Sequence, residues 1–222
     1  MTRPIIRIAA AALALALAAP VAAQQLSLGE QFALRSHTGL AMGTAIADGL
    51  QAPSLGILTN DSSICASLTA SVATQYLARR GDPAALTIAA ATDALSAEAG
   101  TEALTDRAAI ALIFGGQKPV EENYQLTLAA LQALARANYE GAVFVHLRVW
   151  APKFLERAAA EDAAVAAWLA AKPNLHTATI DPQEGVVLLH RVAVKDGAQA
   201  SVEVMARTPM NDTWLGLFRR SI

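Results

Sequence analysis

Residues 142–150 read Ala-Val-Phe-Val-His-Leu-Arg-Val-Trp, and at this stretch the period of the sequence changes. Val143, Val145, Leu147 and Val149 alternate with Phe144, His146, Arg148 and Trp150, the two-residue repeat of a strand with two distinct faces. Upstream of it helical signals dominate. Asn60, Asp61 and Ser62 are all competent N-caps for a helix over about residues 62–80, which ends on Arg79-Arg80 and stops at Gly81. Asp82-Pro83 opens a second helix that runs to about Ala99. Thr101 or Thr105 caps a short apolar helix ending at Gly115-Gly116. Pro119 opens another, with Val120, Tyr124, Leu128, Leu131 and Leu134 as its stripe.

Downstream the pattern inverts. Pro152 starts one more helix, with Phe154, Ala158, Val165, Trp168 and Leu169 inward, and Pro173 ends it. Strands follow at residues 175–180, 185–194 and 198–206, and residues 213–219 read as a last strand. A three-residue loop, Lys195-Asp196-Gly197, would set Val192 opposite Ala200 and His190 opposite Val202, so that apolar positions share a face. A two-residue turn would instead set Val192 opposite Ser201. The longer loop is therefore expected. Helices first and strands afterwards predict an α+β fold: a mainly helical N-terminal half, then a small antiparallel sheet with one intervening helix.

Residues 1–23 read as a secretory signal peptide. Arg3 and Arg7 make a positive start, Ile8–Ala19 is apolar throughout, and Val21-Ala22-Ala23 suits a cut before Gln24. The apolar run is too short for a stable span, since roughly 20 residues are needed. Residues 24–60 are expected to form a partly irregular lead-in with a short helix near Gly29–Arg35, and 61–222 a single domain. The expected location is the periplasm or the outside of the cell.

Composition excludes further classes. The chain of 222 residues is 54% hydrophobic and 16% charged, too apolar to be disordered. Without residues 1–23 it carries 15 basic and 19 acidic residues and no basic block, so no nucleic-acid partner is expected. One cysteine allows no internal disulfide. His37, His146, His176 and His190 are far apart and form no metal-ligand pair. Phosphate-loop, dinucleotide, zinc-protease and nucleophile-elbow motifs do not occur, and no cofactor is expected.

Two residue sets carry chemistry. Cys65 lies three residues beyond Ser62, in the first turn of a helix, where free N–H groups favour a thiolate. His190 lies among Val186, Leu188, Val192 and Val194, and Asn211 and Asp212 follow the next strand, just before Trp214. This arrangement resembles that of the papain-like cysteine hydrolases. The resemblance implies Cys65 as nucleophile, His190 as base and Asn211 or Asp212 as its orienter. The Gly- and Trp-rich surroundings of that family's nucleophile are absent. The second set is the face of 142–150 that carries Phe144, His146, Arg148 and Trp150. It combines a cation, an imidazole and aromatic rings, and suits an anionic or sugar-like ligand or a protein partner. The leading expectation is an exported, non-catalytic binding factor for a small ligand or an envelope protein; the alternative is a secreted cysteine hydrolase.

Overall fold

The structure, a computed structural model, describes residues 26–221. The signal-peptide reading lies outside the described residues. In chain order the elements are helix α1 (Leu28–Thr44), extended by a π-helical turn at Ala45–Leu50, strand β1 (Leu55–Asn60) and α2 (Ser63–Arg80). Then come β2 (Leu86–Ala91), α3 (Ala94–Glu102), β3 (Ala109–Ile113) and α4 (Val120–Arg136). Strand β4 (Ala142–Val145), the single turn α5 (Leu147–Trp150), α6 (Phe154–Glu161) and α7 (Ala163–Ala171) follow. The chain closes with β5 (Leu175–Asp181), β6 (Val186–Lys195), β7 (Ala198–Pro209) and α8 (Asp212–Arg220).

The seven strands form one sheet in the order β2-β1-β3-β4-β5-β6-β7. From β2 to β5 all pairs are parallel; β6 and β7 are antiparallel. This is an α/β fold with helices between strands, and it corrects the expected α+β arrangement. Helices cover both faces. Leu55 and Ile57 of β1 and Ala109, Ala111 and Ile113 of β3 pack with α1, α2 and α8. Leu58, Ile110 and Leu112 pack on the other face with α3, α4, α6 and α7. A strand buried on both faces gains nothing from polar alternation, so it reads as an unbroken apolar run. That is why β1 and β3 are hidden in the sequence, β1 in the expected lead-in and β3 inside an expected helix; the edge strand β2, also inside an expected helix, is hidden by its alanines, which favour helix.

Where the end signals are strong, expectation and structure agree. Ser62 caps α2 and accepts from the Cys65 amide, and Gly81 closes the helix with φ 72°. The stretch 142–150 is strand only to Val145; His146 then caps a helical turn, so its second half is not extended. Residues 213–219 are helix α8, not a strand, with Asn211 as its cap. The hairpin turn has two residues, Asp196 and Gly197, both with positive φ, and Val192 does face Ser201. The mixed pairs remain beside the turn, Val192 with Ser201 and Val194 with Gln199, on a strand β7 that is exposed along most of its length and needs no apolar match; register shifts follow between Arg191 and Val192 and between Leu189 and His190. By the alternation of β6, Val187 and Leu189 face one core, and Val192 and Val194 the other.

Helix α1 lies unusually close to α2. A methyl added at Gly39 would stand 2.6 Å from the Leu68 carbonyl oxygen, and one at Gly43 2.6 Å from that of Val72. The two glycines, four residues apart on one face, let the helix backbones approach.

Candidate functional site

Strand β1 pairs with both β2 and β3, so the chain leaves β1 in one direction across the sheet and returns on its other side. Such a switch opens a crevice beyond the carboxyl ends of the strands, where open α/β sheets hold ligands. Here the crevice is framed by a buried polar network. Asn60, the last residue of β1, donates through Nδ2 to the Gly115 carbonyl and to Asn123 Oδ1, both at 2.9 Å. Its Oδ1 accepts from the Ser62 amide and from Ser62 Oγ. Asn123 Oδ1 also accepts the Gly115 amide at 2.9 Å, and its Nδ2 donates to the Lys118 and Pro119 carbonyls. The loops after β1 and after β3 are thereby locked to each other and to the first turn of α4. Gly116, at φ 67°, passes so close to α2 that a Cβ there would meet Ser62 Oγ at 2.3 Å.

Between these loops, α1 and strands β4 to β6 lies a cavity of about 480 Å³. Met42, Phe144, Ala178, Ile180, Val187 and Phe218 supply apolar wall. Gln31, Arg35, Cys65, Gln117, His146 and Arg148 supply polar wall, and no Asp or Glu lines it. An apolar chamber with a few convergent polar groups is the usual form of a small-molecule site.

The charges of this wall are informative. Neither the Arg35 nor the Arg148 guanidinium has a hydrogen-bond acceptor or carboxylate partner among the described residues. The stem of Arg148 lies against Gly115, where a Cβ would stand 2.9 Å from that of Arg148. Burial, the positive charge of Arg148 and, in the opposite sense, Cys65 act on Arg35, with a net shift below its ordinary pKa. His146 Nδ1 sits 3.2 Å from the Phe114 carbonyl oxygen and 3.4 Å from the Arg148 amide. One tautomer donates to the first and the other accepts from the second. Desolvation, with both arginines adding to it, pushes its pKa down to about 4, so the ring is neutral at pH 7. Burial pushes the Cys65 thiol up, against the opposing pull of Ser62 and the arginines, so it stays protonated.

The sequence-derived candidates divide. Phe144, His146, Arg148 and Cys65 line the cavity together. Trp150 lies apart, and its carbonyl accepts from Gln199 Nε2. His190 is on β6 with Nε2 2.7 Å from Thr179 Oγ1 and Nδ1 3.2 Å from Ser201 Oγ. Asn211 accepts from the Trp214 amide as the cap of α8, and Asp212 stands in the first turn of that helix. His190, Asn211 and Asp212 are thus outside the cavity that holds Cys65. Arg35 was missed, although it is the one Lys, Arg, Asp or Glu between Glu30 and Asp48, a lone charge on an otherwise uncharged helix face. Among the described residues no three His, Cys, Asp or Glu side chains converge as a metal site.

Among solved structures, the chain is similar to an ABC-transporter solute-binding protein from R. palustris in complex with benzoate, at 12% identity and a TM-score of 0.47. The likeness covers 81% of this chain and 65% of that one, so the chain spans about two thirds of its neighbour's length. No curated protein matches. A family profile with the description "Uncharacterized protein" matches residues 31–217, and the chain belongs to that family.

Proposed function

We propose that the protein is an exported, non-catalytic binding protein that holds a small ligand in the cavity beneath α1. The carrying observation is the chamber of about 480 Å³ at the carboxyl ends of the parallel strands, beside the switch point between β1 and β3. The locked network of Asn60, Ser62, Gly115 and Asn123 keeps its rim in shape without a ligand, which limits the ordering cost of binding. A protonated Cys65 serves as wall and not as nucleophile. Residues 1–23 supply the export signal, and no helix among the described residues is long and apolar enough to cross a membrane.

The test is a thermal-shift screen of the mature protein against small organic metabolites, run beside Ala178→Phe, which fills the cavity from β5. Ligands that raise the melting temperature of the parent and not of the variant support the reading. Shifts that survive the substitution refute it.

A further inference from the structure

The structure assigns to this cavity a small organic anion, its charged head bound by the guanidinium groups of Arg35 and Arg148 and its apolar body against Phe144, Ala178, Ile180 and Val187. The inference rests on the reading of the cavity as a ligand site and names the class of ligand. Its first ground is the pairing pattern. Every other arginine among the described residues has an acceptor. Arg79, Arg107, Arg136, Arg157, Arg191, Arg207 and Arg220 reach carboxylates, and Arg80 and Arg219 reach backbone carbonyls. The two exceptions stand on separate elements, α1 and α5, and line one cavity.

The second ground is the lining. Among the described residues it holds two cations and no carboxylate, and its histidine is neutral at pH 7. The groups facing the pair from the elements around it, Gln31 and Thr38 of α1, Cys65 of α2, Gln117 after β3 and His146 after β4, carry no negative charge. Arg35 is half-buried and Arg148 exposed; the two like charges repel each other, and each lowers the cost of placing an anion beside them. Guanidinium matches a carboxylate or phosphate oxygen pair in geometry as well as charge. The third ground is the mixed wall: beside the arginines of α1 and α5 stand apolar side chains from β4, β5 and β6 and from α1, α2 and α8. That mixture suits an amphiphilic acid, not an inorganic ion.

The experiment uses the mature protein with octanoate, octyl phosphate, octanamide and inorganic phosphate as probes, measured by calorimetry and by thermal shift. Octanoate or octyl phosphate should bind, whichever is tighter identifying the head group, with octanamide and inorganic phosphate weaker by about tenfold or more. Arg35→Gln and Arg148→Gln should each weaken the anion by about tenfold and leave the melting temperature equal or higher, because neither guanidinium has a protein partner to lose. Octanamide bound as tightly as octanoate, or an anion indifferent to both substitutions, would overturn the inference and leave the ligand site standing. Failure of all four probes to bind would overturn the inference and the ligand reading together for ligands of this size.

Discussion

Replacing Gly43 by alanine puts a methyl carbon 2.6 Å from the Val72 carbonyl oxygen and 2.8 Å from Gln75 Cβ. Ordinary contact begins at 3.4 Å, so the neighbours must part by about 0.8 Å. The nearest obstacle is backbone and cannot turn aside as a side chain would. Helices α1 and α2 must therefore separate, and a gap of that order forfeits a quarter to a half of the dispersion energy of each facing atom pair. Overpacking of this kind costs about 1–3 kcal/mol, and contact with rigid backbone argues for the upper half, about 2–3 kcal/mol. For a chain of this size that corresponds to a melting temperature lower by about 4–12 °C. Gly29 on the same helix provides the control, since a Cβ there meets nothing within 4 Å. Gly29→Ala should be neutral or stabilise by up to about 0.5 kcal/mol through the lost freedom of the unfolded chain. Scanning calorimetry with urea unfolding reads both variants. If Gly43→Ala melts within a degree of the parent, or the two variants change in the same direction, the close backbone approach of α1 to α2 is refuted.

Acid should destabilise the fold through buried imidazoles. His176 is buried with no partner for Nδ1, and its pKa is pushed down to about 4, first by desolvation and then by Arg191. Between its unfolded pKa of about 6.5 and 4 the unfolded chain binds the extra proton, so stability is present above that window and is lost as pH falls through it, at up to about 1.4 kcal/mol per pH unit. Urea midpoints measured from pH 7 to 4 should fall, and a His176→Phe variant should show a shallower slope; an equal slope would remove His176 as the cause. Asn123→Ala leaves the Gly115 amide and Asn60 Nδ2 short of an acceptor in a buried place, at about 2–4 kcal/mol. Chemical denaturation should register that loss, and a cost under about 0.5 kcal/mol would mean that water replaces the side chain.

Much of the fold was legible at its boundaries and little of it in its middle. Ser62 and Gly81 bracket α2, and Pro119 and Glu121 mark the start of α4, because caps and prolines act locally. The central strands leave no such marks. Leu55-Gly56-Ile57-Leu58 and Ala109-Ile110-Ala111-Leu112-Ile113 are apolar on both faces, and the alanines of β2 favour a helix on propensity alone. Their strand state comes from pairing across the sheet, Leu55 with Leu86 and with Ala109, which no local window contains. Cavity residues follow the same division. Phe144, His146 and Arg148 stand out because residues 142–150 alternate, although only Phe144 is on the strand and the turn capped by His146 places Arg148. Arg35 draws its meaning from what α1 folds against.

The position of β1 between β2 and β3 also sets an order of assembly. It is synthesised before every strand it touches, and its second edge stays open until residues 109–113 arrive. The β6–β7 hairpin, joined by two residues, closes on its own within microseconds, whereas β1 must wait for partners far along the chain. Truncation is therefore asymmetric. A fragment that stops before β3 presents an apolar strand edge with nothing to cover it, the condition that favours aggregation. Loss of β7 instead trims the outermost strand and leaves the parallel pairs from β2 to β5 complete.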